Sequence, residues 1–231
     1  MSRVLLVTDR RQAEATGRAL VDVVGAALDG AAVGVLLREK DLPLDERAGL
    51  AVALRRVTAA AGARLTVAGD VDLALACGAD GVHLAADDPW PDVELQEALD
   101  ASRPSGRMRV SRSCHTPDEL AAADRRHADW ATYSPVFATA SKPGYGPALG
   151  VDGLAAACAG VARPPVVALG GIDAGTARRC TRVGAAGVAV TGALMRADDP
   201  AATAAALDRE AAAGYDEWRA AALSLHGGSD R

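Results

Sequence analysis

Eight short apolar runs, separated by stretches with apolar residues at helical spacing, constrain the fold of this chain more than any other feature. The runs are Val4–Thr8, Ala32–Leu37, Arg64–Val67, Gly81–Leu84, Met108–Ser111, Trp130–Tyr133, Val166–Leu169 and Gly187–Val190. Between them lie alanine-rich amphipathic segments such as RAGLAVALRRVTAAAGA and TPDELAAADRRHA. Strand alternating with helix implies parallel strands joined by right-handed crossovers. An open doubly wound sheet more often has fewer such units, so eight predict an α/β fold closed into a single-domain (β/α)8 TIM barrel. Gly-Ala-Asp-Gly at 78–81 and Gly-Ala-Ala-Gly at 184–187 fit tight turns into the fourth and eighth strands. The barrel is expected over residues 1–225, closed by a helix from Pro200 to about Leu225, with 226–231 as a flexible tail.

Bulk properties agree with one compact enzyme domain. Aromatic residues make up only 3% of the 231, so the core must rest on Val, Leu and Ala. A formal net charge of −5 leaves no basic footprint for nucleic acid. No stretch approaches the roughly 20 apolar residues of a membrane span, and MSRVLLVTDR enters a strand without a signal-peptide core. Cys77, Cys114, Cys158 and Cys180 lie far apart with no CxxC spacing, which predicts reduced thiols in a cytoplasmic protein. Apolar faces on the alanine-rich helices predict a homo-oligomer.

In a barrel, chemistry belongs at the carboxyl ends of the strands. There strand seven meets Gly170-Gly171 and strand eight ends at Val190 before Thr191-Gly192. Such strand ends are either ordinary βα turns or a cradle whose backbone N–H groups hold a phosphate. The two occurring together favour the cradle: Gly170, Gly171, Val190, Thr191 and Gly192. Arg38 and Lys40 flank Glu39 after strand two, as a solvated charge run or as an anion clamp. His83 is a packed histidine or a functional one, and Asp87-Asp88 before Pro89 could simply start a loop and cap a helix. His115 directly follows strand five beside Ser113, and Thr116 with Glu119 forms a capping box. A histidine at the mouth can take and return a proton near neutral pH, so His115 and Ser113 are the candidate catalytic residues. After strand six a long loop carries Thr139, Ser141 and Lys142, suited to an anion, and glycines suited to a lid.

These residues carry a family resemblance. GADGVHLAADD at 78–88, SRSCHT at 111–116, SPVFATASKPG at 134–144, and the VVALGGI and GVAVTGAL elements resemble the thiamine phosphate synthase and TenI superfamily. The resemblance runs from about Val4 to Met195. It implies a thiazole phosphate ligand gripped by Gly170, Gly171, Val190 and Thr191.

Departures from the family pattern separate its two activities. Synthases join an aminopyrimidine pyrophosphate to a thiazole phosphate with Mg2+. The resemblance implies Q-x-R-x-K on strand two, where this chain has Leu36-Leu37-Arg38-Glu39-Lys40. It implies Asn-Asp before Val71-Asp72-Leu73-Ala74-Leu75, where this chain has Ala68-Gly69. Asp88 keeps the place of the second metal carboxylate, a metal role only if the protein is a synthase; Asp70 sits one residue late and should point away. Arg112-Ser113-Cys114-His115-Thr116 is similar to the R-S-x-H-[ST] motif of TenI-type thiazole tautomerases. The expectation is therefore a cofactor-free tautomerase that aromatises a carboxythiazole phosphate with His115 as base. The alternatives are a thiamine phosphate synthase, which the retained Arg38, Lys40, Thr139, Ser141 and Lys142 favour, and a non-catalytic phosphate-binding regulator.

Overall fold

In the computed structural model, residues 2–91, 95, 97, 99, 101, 108–139, 147–161 and 163–226 are described. Eight parallel strands close a barrel in chain order: β1 Val4–Val7, β2 Val33–Leu37, β3 Leu65–Ala68, β4 Gly81–Leu84, β5 Arg109–Cys114, β6 Trp130–Tyr133, β7 Val166–Leu169 and β8 Gly187–Val190. Closure is the β1–β8 pairing, with Val4 opposite Val188 on one side and Val33 on the other. The described helices are α1 Arg10–Glu14, α2 Leu20–Gly30, α3 Leu44–Ala60, α4 Val71–Ala76, α5 Pro117–Arg125, α6 Gly150–Gly160, α7 Ala174–Thr181, α8 Gly192–Met195 and α9 Pro200–His226. None of them is long and apolar enough to cross a membrane.

Both faces of each strand are covered, which explains why the strands read as continuous apolar runs. Alternate residues face opposite ways. Val4, Leu6, Val35, Val67, Val82, Val110, Ala168 and Val188 join the large core beneath the helices. Val7, Leu36, Trp130, Val167 and Ala189 form a separate cluster inside the barrel.

The helices start where the sequence offers caps. Asp9 and Asp70 accept the N–H groups of Gln12 and Leu73 at the starts of α1 and α4. Thr116 and Glu119 form the expected capping box on α5, and Asp173 with Thr176 forms a second on α7. Because these caps lie at the carboxyl end of the barrel, they also fix the loops that form its mouth.

One strand differs from expectation in a way that matters for the site. Strand five was expected over Met108–Ser111, but β5 continues to Cys114. Ser113 is therefore a strand residue on the same side as Ser111, not part of a mouth loop. At the other end α9 runs to His226, and 227–231 of the expected tail lie outside the described residues.

Candidate functional site

The inner surface near the strand ends is polar around His83. Its Nδ1 lies 2.9 Å from Ser111 Oγ and its Nε2 3.0 Å from Ser113 Oγ, with Thr132 Oγ1 at 3.5 Å. Ser111 donates its single hydroxyl hydrogen to the Val82 carbonyl at 3.1 Å, so toward His83 it accepts. This network assigns the ring proton to Nδ1 and makes Nε2 the acceptor of the Ser113 hydroxyl. The Ser113 oxygen keeps its lone pairs to accept a further hydrogen bond. The ring stacks on Trp130, with centroids 4.9 Å apart and planes 12° from parallel. Burial, followed by the positive charges of Arg38, Lys40 and Arg112, pushes the His83 pKa down to about 3. His83 is thus a neutral, fixed hydrogen-bonding platform.

Arg38 and Lys40 emerge at the end of β2, both exposed, with Glu39 buried between them. The Arg38 backbone N–H donates to Thr8 Oγ1 at 2.9 Å. Glu39 accepts from the Arg10 backbone N–H at 3.0 Å and from its Nη1 at 3.2 Å, and Arg10 also binds Asp41 through Nη1 and Nη2. Burial pushes the Glu39 carboxyl up, while hydrogen bonds from Thr8 and Arg10 pull it back. The middle residue of the charge run is an anchor. Arg38 and Lys40 form no ion pair among the described residues and crowd the field at His83.

Asp88 turns back on its own loop, where Oδ2 accepts the Ala85 N–H at 2.6 Å. Beneath it Arg112 donates Nη2 to the carbonyls of Ala86 and Asp88, at 2.7 and 2.6 Å, and stacks on Trp90. Across from Asp88 is Gly69, where an added Cβ would sit 3.8 Å from Oδ2. Asp70 points away as expected, capping α4 and pairing with Arg47 at 2.6 Å. Magnesium prefers octahedral oxygen ligation. Here Glu39 is bound by Arg10, Asp70 by Arg47, and Asp88 faces a glycine, so the donor set does not fit a two-carboxylate magnesium site. Among the described residues no group of three His, Cys, Asp or Glu residues is arranged to hold a metal.

His115 lies at the end of β5, half-buried. Its Nδ1 is 2.9 Å from the Ser134 carbonyl oxygen and 3.2 Å from Ser134 Oγ. A carbonyl only accepts, so the neutral ring carries its proton on Nδ1 and Nε2 is its basic nitrogen. Glu119 holds the His115 backbone N–H, tying the ring's position to the α5 capping box. Ser113 was expected to work beside His115; its hydroxyl instead contacts His83, because inward side chains of β5 meet β4 across the shared register of His83 with Ser111.

The glycine strand ends also have a packing reason. Gly170 and Gly171 take φ of 102° and 63°, and a Cβ on them would meet Pro135 Cα at 2.9 Å and the Ala138 oxygen at 2.4 Å. Bonds from the Val136 and Phe137 N–H groups to the Leu169 and Gly170 carbonyls seal this contact. The pair therefore brings the segment after β6 against the end of β7. The Val190 side chain belongs to the outer core, so only its backbone can address a ligand. Thr191 and Gly192 open α8. Thr139 is half-buried at the edge of this region, whereas Ser141 and Lys142 lie outside the described residues. Two concavities of about 680 and 540 Å3 lie elsewhere, lined respectively by Pro165, Tyr215 and Trp218 and by Ser2, Arg109 and Trp130, and no candidate site residue lines either.

Sequence reasoning gave no sign of the roles of Trp130, Ser111 and Arg10. Strand alternation could have placed Ser111 and Trp130 inside the barrel; the Arg10 role depends on a loop contact.

Comparison with known proteins agrees with this architecture. Residues 4–194 match the family model described as thiamine monophosphate synthase. A Geobacter sulfurreducens protein, provisionally named a thiamine-phosphate synthase, is 45% identical over 202 residues, covering 87% of this chain and 91% of its own. The thiamine-phosphate synthase of Roseiflexus sp. is 38% identical over 214 residues, covering 93% and 87%. The solved thiamine phosphate pyrophosphorylase of Pyrococcus furiosus superposes with a TM-score of 0.75 at 29% identity, covering 92% of this chain and 96% of that one. A family match over most of the chain, full-length relatives and a shared eight-stranded barrel agree: this protein belongs to the thiamine monophosphate synthase/TenI family.

Proposed function

We propose that this barrel is a thiamine-phosphate synthase, a transferase joining an aminopyrimidine pyrophosphate to a thiazole phosphate. The observation that carries this reading is that the ends of β7, β8 and β2 open at the same end of the barrel, which we read as two anion-accepting regions. Backbone N–H groups at the β7 and β8 ends offer one, and Arg38 and Lys40 at the β2 end offer the other. Two phosphorylated substrates call for two such regions. The names of the relatives point the same way, and the cofactor-free tautomerase expected from the sequence finds no support in them.

In this reading the β7–β8 glycines bind the thiazole phosphate. Arg38 and Lys40 take the charge of the departing pyrophosphate, as cations positioned beforehand in a partly dry site do. Ser113, oriented by neutral His83, accepts a hydrogen bond from the substrate. Thr139 belongs to the loop that the family resemblance assigns to the same anion; Ser141 and Lys142 of that loop lie outside the described residues. No step is assigned to magnesium, because the donor set around Asp88 does not fit it.

A second reading rests on His115, whose Nδ1–H is pinned by Ser134, which makes Nε2 the ring's basic nitrogen. One pair of assays separates the two. Thiamine phosphate formation from both substrates supports the synthase. Conversion of the exocyclic carboxythiazole phosphate tautomer without metal, with no coupling activity, replaces it with the tautomerase.

A further inference from the structure

The last register pair of β4 and β5 is Leu84 with Arg112. β4 stops there, while β5 continues to Cys114 and stays paired with β6 as far as Tyr133. Ser113 therefore stands beyond the β4–β5 ladder, yet its hydroxyl meets His83 Nε2 across that gap. Something other than the ladder must hold β5 to the β4 side at this height.

Arg112 does so from the opposite face. It alternates with Ser111 and Ser113 and shares its side of β5 with Val110 and Cys114, which belong to the core beneath the helices. Its Nη2 donates to the Ala86 and Asp88 carbonyls and its guanidinium stacks on Trp90, so one side chain carries the β4–β5 seam past the end of β4. The group is ill suited to packing alone. It is 8% exposed, and among the described residues it forms no ion pair and its Nη1 has no hydrogen-bond partner. Burial pulls its pKa down, and the groups that offset this in part, Cys114, Asp88, Asp87 and Glu119, make no ion pair with it. A buried, unpaired cation with an unmet donor costs stability, and a methionine fills similar space without that cost.

We propose that Arg112 is a positioning residue: it locks the loop after β4 to β5 and thereby sets the height of Ser113 against His83 at the mouth. The use of Ser113 toward substrate rests on the synthase reading; the placement of Ser113 does not.

Side-chain nitrogen NMR of His83 in the full chain, assigned with His83→Asn, reads that placement. Ser113→Ala removes the hydrogen bond to Nε2 and marks the shift of a free acceptor. Arg112→Met should move the Nε2 signal most of the way to that mark. Arg112→Lys, which still reaches a carbonyl but lacks the planar fork, should recover part of the wild-type shift. The thermal midpoint of Arg112→Met should equal or exceed that of the wild type. In the coupling assay its kcat/KM should fall roughly tenfold, and it should add no further loss in a Ser113→Ala background. An unmoved Nε2 signal in Arg112→Met overturns the proposal. So does a lowered midpoint with losses that add to those of Ser113→Ala, since Arg112 is then a packing residue. A wild type without coupling activity, in which His83 still responds as expected, removes the synthase reading and leaves the role of Arg112 standing.

Discussion

His83 shows how a residue's chemistry is decided by neighbours that the sequence does not put beside it. From the sequence alone it was equally a packed histidine or a working one. Ser111, Ser113 and Trp130 hold the ring in place, while burial, followed by the charges of Arg38, Lys40 and Arg112, holds its pKa near 3. The unfolded chain takes up this proton near the ordinary value of 6.5. In the window between these values the unfolded state therefore binds more protons, and stability falls as the pH falls. His83's contribution is fully present above pH 6.5. Urea midpoints measured at about pH 7 and pH 5, above the ordinary carboxylate range, should drop more for the wild type than for His83→Asn. Equal slopes would mean that His83 is not the group responsible. Gly69 is the second residue with a sharp consequence. Its φ of 66° lies in the left-handed region, which aspartate tolerates better than most residues, and its missing Cβ would sit 3.8 Å from Asp88 Oδ2. Gly69→Asp should therefore set two carboxylates face to face and tighten magnesium binding by roughly tenfold in the presence of pyrophosphate. No gain by calorimetry would show that the missing carboxylate is not what limits the site.

At the scale of elements, most strands were legible because burial on both faces writes them as apolar runs. The expected run for β5 ends at Ser111 because Arg112 and Ser113 break that pattern where the barrel turns polar to build its mouth. The α5 cap was legible because Thr116 and Glu119 lie three residues apart, and it also holds His115 in place. Helix-to-helix contacts leave a fainter trace. Gly214 of α9 lies so close to α7 that a Cβ would be 2.3 Å from both the Arg178 oxygen and Thr181 Oγ1. Gly214→Ala tests which effect wins there. Helix propensity favours alanine by about 1 kcal/mol, while forcing a methyl against a backbone oxygen costs about 1–3 kcal/mol. The clash should prevail, because backbone oxygen has nowhere to rotate. Thermal unfolding is expected to shift down by a few degrees. An upward shift would mean that α9 slides away from α7 at little cost.

For the whole molecule, the barrel itself was legible from eight alternating units, and the expectation that chemistry sits at the strand ends followed from the barrel. Arg38 and Lys40 were legible as a possible anion clamp; what no sequence pattern could supply was the contact of Arg196 with Gln12. Arg38 and Lys40 project from β2, and Arg196 reaches back over β8 to a glutamine 184 positions earlier. These cations gather in one face of a chain whose formal net charge is −5. Which charge an incoming anion feels depends on screening. At 0.1 M salt the Debye length is about 10 Å, so distant surface carboxylates are largely masked while cations in contact with the ligand are not. Inorganic pyrophosphate should therefore bind the wild type despite the net negative charge, and its affinity should fall several-fold as salt rises from about 0.1 to 1 M, where the Debye length shrinks to about 3 Å. Replacing both Arg38 and Lys40 with methionine removes the charges that make this interaction and should flatten the salt dependence along with the affinity. An unchanged slope in the double variant would place the pyrophosphate elsewhere, away from the β2 end. A flattened slope would assign that end of the mouth to one anion and leave the β7–β8 glycines for another, which is the division of labour a two-substrate transferase requires.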